Sequence, residues 1–148
     1  MRPARSCDIY IDGASRGNPG PSGIGAAFFD GGPEPVKQLS KYLGETTNNV
    51  AEYLALIYAL QEALRDGYTA VSVNTDSELL ARQLSGQYRV RDPQLRLFYG
   101  LAQHLRAGFD RCTVAHIPRE QNVLADRLAG RAADQRSSAS RAADISAL

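Results

Sequence analysis

A chain of 148 residues with 17 basic and 16 acidic side chains, and 43% hydrophobic residues, fits one ordinary globular domain. At that size a domain buries roughly 70% of the surface its unfolded chain exposes and needs no disulfide or metal staple. A formal net charge of +1 neither demands nor excludes a nucleic-acid partner. No apolar run is long enough to span a bilayer, and the opening "MRPARSCDIYIDG" has no apolar stretch of the signal-peptide kind, so no membrane association and a cytoplasmic location are expected. Cys7 and Cys112 are too few and too distant for a disulfide framework or a zinc site and read as buried thiols.

Residues 6–12, "SCDIYID", alternate with the strand period, with Cys7, Ile9 and Ile11 on one face and Asp8, Tyr10 and Asp12 on the other. The strand is expected to end on Asp12, ahead of a loop crowded with Gly, Pro, Asn and Ser. "GIGAAFFD" reads as a second strand and "PVKQLSKYLG" as a third, with Val36, Leu39 and Tyr42 as its apolar content. Turn signals in "DGGPEP" make residues 6–44 an antiparallel meander. A helix follows the cap-rich "TTNN", carrying Leu54, Ile57, Tyr58, Leu60 and Leu64 to Asp66-Gly67. "AVSVNTD" is a short buried strand. "SELLARQLSG" is a helix from Ser77 to Gly86, and "DPQLRLFYGLAQHLRAG" is another, with Pro93 near its start and Gly108 near its end. "RCTVAHIP" is the last strand and "EQNVLADRLAGRAAD" the last helix; His104 reads as a surface residue. From Arg136 onward the chain is small and polar and is expected to fray, leaving residues 1–135 as the domain and 136–148 as a tail. The order βββαβααβα implies a mixed α/β sheet flanked by helices, with right-handed crossovers between its parallel strands.

The glycines of "GPSGIGA" do not make a dinucleotide loop, because Pro19 and Pro21 stand among them and a strand, not a helix, follows. The acids are more informative. Asp12 and Asp76 end strands, Glu52 lies near the start of the first helix, and Asp126 lies early in the last one. Each has a bland reading alone, as a turn, cap or dipole partner. Together they are placed to meet, because the carboxyl ends of neighbouring strands and nearby helix starts converge on one rim of such a sheet. Four carboxylates there carry about −4 and raise one another's pKa values unless neutralised. Two divalent cations supply the compensation, and oxygen ligands select Mg²⁺, with Mn²⁺ as the alternative. Such a pair, roughly 4 Å apart, suits phosphodiester hydrolysis.

Over residues 6–135 the segments "YIDGASRGNPGPSGIGA", "TTNNVAEYLALIYAL", "TDSELLARQL" and "HIPREQNVLADRLA" resemble type 1 ribonuclease H, of the retroviral-integrase-like nucleases. The resemblance implies a ribonuclease H-like fold, a five-stranded mixed sheet of three antiparallel and two parallel strands. It implies that Asp12, Glu52, Asp76 and Asp126 bind two metal ions and that the enzyme hydrolyses the RNA strand of an RNA/DNA hybrid, as a monomer. It also places Asn18, Thr47, Asn48 and Asn49 in the hybrid-binding surface, where short donors and acceptors can read phosphates and the 2′-hydroxyl. Gly13 and Gly17 are expected to permit close approach of a nucleic-acid strand. His116, ten residues before Asp126, matches the family's flexible-loop histidine, which handles protons or helps product leave; Arg119 is its substitute in the same loop. Ser77 and Asn122 are included among the substrate contacts, and Asn122 is also expected to cap the last helix or steady that loop.

Two departures stand out. The chain has no tryptophan, and "LSGQYRVRDPQL" is too short for the basic protrusion some members use to grip the hybrid, which leaves Arg89 and Arg91 to reach the backbone there. Asp92 falls where many members have an asparagine near a DNA phosphate. The alternatives are a nuclease of the same fold acting on another duplex, such as RNA/RNA, and a catalytically silent hybrid-binding module. Retention of all four acids argues against the silent module.

Overall fold

The computed structural model describes residues 4–135, so the expected tail at 136–148 lies outside it. Strands β1 (Ser6–Ser15), β2 (Gly20–Phe29) and β3 (Lys37–Thr46) form the meander, followed by α1 (Asn48–Arg65) and β4 (Ala70–Thr75). Then come α2 (Glu78–Leu84), α3 (Pro93–Arg106), β5 (Arg111–His116), a single 3₁₀ turn at Arg119–Gln121, and α4 (Val123–Ala133). The sheet order is β3-β2-β1-β4-β5. β1 is antiparallel to β2 and parallel to β4, and β4 is parallel to β5, which is the expected five-stranded mixed sheet.

Two boundaries differ from expectation, and the difference matters for the site. β1 does not end on Asp12: its ladder with β2 runs on through Gly13–Ile24 to Ser15–Ser22, so β2 begins at Gly20 and the connecting loop is only residues 16–19. The parallel ladder with β4 does stop early, at Ile11–Thr75. Asp12 therefore stands at a strand end on its β4 side alone, while its β2 side holds the backbone rigid. Val36 is not part of β3; it lies in the preceding turn and is 53% exposed.

One face of the sheet carries Cys7, Ile9 and Ile11 with Val71 and Val73, and α1 covers it with Val50, Tyr53, Leu56 and Leu60. Full burial of each Leu or Ile stabilises the fold by roughly 1.5–3 kcal/mol. Thr47 starts α1 by accepting a hydrogen bond from the Val50 amide (3.3 Å), and Asp92 starts α3 through the Leu95 amide (2.9 Å). Asp92 thus has a capping role. On the other face α4 lies directly on β2: a Cβ at Gly25 would fall 2.3 Å from the Ala125 carbonyl oxygen and 2.5 Å from the Ala129 nitrogen. This seam of two strand glycines (Gly23 and Gly25) against small helix residues fixes the height of α4, and with it Asp126. Cys7 is buried, and its thiol is pushed up to about 12, chiefly by desolvation.

Candidate active site

β1 and β4 deliver Asp12 and Asp76 to the point where their parallel pairing ends, and α1 delivers Glu52 one turn after its cap. Carboxylate oxygens of Asp12, Glu52 and Asp76 lie within 4.8 Å of one another. Asp126, in the first turn of α4, borders the same cleft of about 330 Å³ as Asp12. All four acids singled out in the sequence thus meet.

The packing around Gly13 explains how Glu52 gets there. A Cβ on Gly13 would sit 2.5 Å from the Ala51 carbonyl carbon and 2.6 Å from the Glu52 nitrogen. The close approach this glycine permits is therefore that of the α1 backbone, where a nucleic-acid strand was expected. Because α1 rests on β1 there, the Gly13 amide donates to Glu52 Oε1 at 2.6 Å and lies 3.0 Å from Asp12 Oδ1. Glu52 Oε2 is buried and has no partner among the described residues.

Asp12 and Glu52 are only 5% and 4% exposed. Burial, then the charge of Glu52 and that of Asp76, drives the Asp12 carboxyl well above the usual carboxylate range. Glu52 is also raised by burial, with the Asp12 and Gly13 hydrogen bonds and the Arg119 charge pulling the other way. At neutral pH the metal-free pair therefore retains a proton. An unsatisfied buried carboxylate oxygen, hard oxygen donors and mutually raised carboxyl groups together fit a divalent cation of the Mg²⁺ class.

The other residues divide. Ser77, the α2 cap, lines the cleft together with Asn48 and Arg119. Asn18 reaches across from the short loop, its Oδ1 accepting from the Asn48 amide at 3.0 Å. Thr47 Oγ1 accepts the capping bond of α1, and Asn49 is exposed on the same turn. Gly17, at φ +102°, gives the loop a backbone conformation that favours glycine. His116 is not in a loop: it is the last residue of β5, paired with Thr75 and exposed, and is not among the cleft-lining residues. Arg89 and Arg91 lie outside the cleft, in a separate hollow with Val90 and Arg96. Asn122 occupies the cap position of α4 but makes no capping bond with its side chain, and it is too deeply buried for the substrate contact expected of it. Arg16 is a cleft residue that sequence reasoning missed. Its guanidinium takes both oxygens of Asp134 (2.9 and 3.2 Å) and ties the loop to α4, a pairing 118 residues apart that no local pattern announces.

Residues 10–132 match the family described as "Reverse transcriptase-like". The chain is 42% identical over 125 residues to Ribonuclease HI of Halobacterium salinarum, covering 84% of this chain and 63% of that protein. It is 44% identical over 127 residues to a bifunctional protein of Mycobacterium tuberculosis, covering 85% of this chain and 35% of that one. It thus spans less than two thirds of either relative. Among solved structures, RNase H1 from Halobacterium salinarum superposes with a TM-score of 0.85 at 41% identity, covering 88% of this chain and 98% of that one. LC11-RNase H1 in complex with an RNA/DNA hybrid gives 0.83, also at 41% identity and with the same coverage.

Proposed function

Because this chain belongs to the ribonuclease H family, we propose that it is an endonuclease hydrolysing the RNA strand of RNA/DNA hybrids, with Asp12, Glu52, Asp76 and Asp126 holding two Mg²⁺ ions (Mn²⁺ as alternative). The observation that carries this reading is the convergence of Asp12, Glu52 and Asp76 within 4.8 Å, in a cleft that also takes in Asp126. Hybrid binding by the LC11 relative supports the choice of substrate. When bound, divalent cations supply an activated water and stabilise the leaving oxygen. The chain's own residues then bind and orient. Asn18, Thr47, Asn48, Asn49 and Ser77 offer neutral donors and acceptors for phosphate and sugar, including the 2′-hydroxyl. In the same reading the domain acts as a monomer in the cytoplasm, without a membrane. Among the described residues no helix is long and apolar enough to cross one.

Cleavage assays on matched RNA/DNA, RNA/RNA and DNA/DNA duplexes with Mg²⁺ or Mn²⁺ test the substrate. RNA/DNA is expected to be cut, and equal cleavage of RNA/RNA would move the chain to a broader duplex nuclease.

Arg119, beside Glu52 in the cleft, takes the role that the family resemblance offered to His116. A guanidinium presents a planar fork of N–H donors, so it assists by holding negative charge on the substrate or departing product. Arg119→Ala is expected to lower turnover roughly ten- to a hundredfold, and His116→Ala to leave it within about twofold. Steady-state kinetics on one hybrid decide, and the reverse order of effects would return the role to His116.

Arg89 and Arg91 are proposed to hold hybrid phosphates from outside the cleft. Each contact releases counterions and contributes about 0.7–0.9 to the log–log salt slope. The double change to Ala is expected to raise KM, flatten the slope by roughly 1.5 and leave saturated turnover nearly unchanged, because such contacts hold substrate and transition state alike. An unchanged slope would mean that this loop only faces solvent.

A further inference from the structure

The clearest group left unexplained by capping, core packing or direct substrate contact is the side chain of Asn122. It is 1% exposed, among the most deeply buried polar side chains described. The sequence suggests a helix cap, yet its amide does not turn back on α4. Instead Nδ2 donates to the Ile11 carbonyl oxygen at 2.8 Å and reaches Asp76 Oδ2 at a longer 3.4 Å. Its main-chain oxygen accepts from the Asp126 amide at 3.1 Å, and its own amide donates to the Arg119 carbonyl oxygen at 2.9 Å. Asn122 therefore touches the residue before Asp12, the carboxylate of Asp76 and the backbone of Asp126, across β1, β4 and α4.

The chemistry of the contact is selective. The ladder between β1 and β4 ends at Ile11–Thr75. A primary amide carries two N–H donors and no charge, so one group can serve a carbonyl and a carboxylate together. Aspartate would place a fifth negative charge on Asp76 and lose both donors. Lysine or arginine would bring a net charge into a fully buried position. Oδ1, by contrast, has no partner among the described residues. The donor end is the one that bonds β1 and Asp76.

We propose that Asn122 is a positioning residue for the metal-binding carboxylates: it locks one oxygen of Asp76 and the end of β1, and so sets the spacing of Asp12 and Asp76. The proposal rests on the metal-site reading above. Groups that orient metal-ligating side chains are typically worth 10–100-fold in metal affinity or activity.

The test uses the intact protein and the metal alone. Mg²⁺ and Mn²⁺ affinities are measured by calorimetry without nucleic acid for wild type, Asn122→Ala, the near-isosteric Asn122→Asp, Asp76→Asn and the double variant Asn122→Ala/Asp76→Asn. Thermal unfolding and hybrid kinetics are run alongside. Asn122→Ala is expected to weaken metal binding about tenfold or more and to lower kcat ten- to a hundredfold, with KM for the hybrid within about twofold. Asn122→Asp should be at least as damaging. In the Asp76→Asn background, adding Asn122→Ala should cost metal affinity little more, since the two act through one carboxylate. A lower Tm with metal affinity intact, full additivity in the double variant, or failure of both single Asn122 variants to fold would make Asn122 merely structural and overturn the proposal. Absence of metal binding in wild type, or undiminished binding in Asp76→Asn, would instead overturn the metal-site reading itself.

Discussion

Asp12→Asn is expected to abolish detectable cleavage while making the metal-free protein more stable. Both effects follow from the same geometry. Asp12 is buried against Glu52, with Asp76 and Asp126 in the same cleft, so in the proposed site its carboxylate would serve as a metal ligand, and without metal the fold keeps it at the cost of a retained proton. In the folded, metal-free protein the Asp12 and Glu52 carboxyl groups titrate above their ordinary range. From about pH 4 upward the folded state thus binds more protons than the unfolded chain, and stability falls as pH rises towards neutrality. Asp12→Asn should flatten that fall, and so should saturating Mg²⁺, which takes the place of the retained protons. Removing a carboxyl group that must hold its proton in the fold is expected to add about 1 kcal/mol at neutral pH, a rise in Tm of roughly 2–4 °C for a domain of this size. Thermal unfolding at pH 5 and pH 8, with and without Mg²⁺, checks each sign. Near-normal turnover by the purified variant would remove Asp12 from the metal site.

Gly13→Ala is expected to damage both fold and activity, from a residue that has no side chain to contribute. The added methyl would stand 2.5–2.8 Å from backbone atoms of Ala51 and Glu52, which cannot swing aside as a side-chain tip would. Either α1 lifts or β1 shifts, at a cost of about 1–3 kcal/mol, the usual range for overpacking. The displacement also breaks the 2.6 Å bond from the Gly13 amide to Glu52 Oε1, which aims the Glu52 carboxylate at the acidic cluster. Turnover should therefore fall by more than the population of unfolded molecules explains. Denaturant unfolding combined with kcat at a temperature where the variant is fully folded separates the two losses. Wild-type kcat in the folded variant would mean that Glu52 does not depend on this contact.

The order of elements and the four acids were legible because local chemistry marks them: Asp12-Gly13 follows an alternating run, "TTNN" precedes Glu52, and Asp76-Ser77 joins a strand to a capped helix. The true end of β1 was not, because a strand paired on both sides has two ends. The ladder with β2 runs to Ser15 and that with β4 stops at Ile11. The match to the family's histidine ten residues before Asp126 pointed to His116 but could not tell that it closes β5 while Arg119 enters the cleft. Asn122 looked like a cap because that is the usual work of an asparagine before a helix. Only the approach of β1, 111 residues earlier, reveals the Ile11 carbonyl it serves. The glycines at Gly23 and Gly25 read as strand residues, yet what they accommodate is the backbone of α4.

The most direct test is cleavage of a hybrid whose RNA and DNA strands carry different labels, by wild type and Asp12→Asn, in Mg²⁺ and in EDTA. The site described here predicts that wild type in Mg²⁺ cuts the RNA strand internally and leaves the DNA strand whole, with no cutting in EDTA or by the variant. Cutting of the DNA strand, or RNA cleavage that survives either EDTA or the loss of the Asp12 carboxylate, would contradict it.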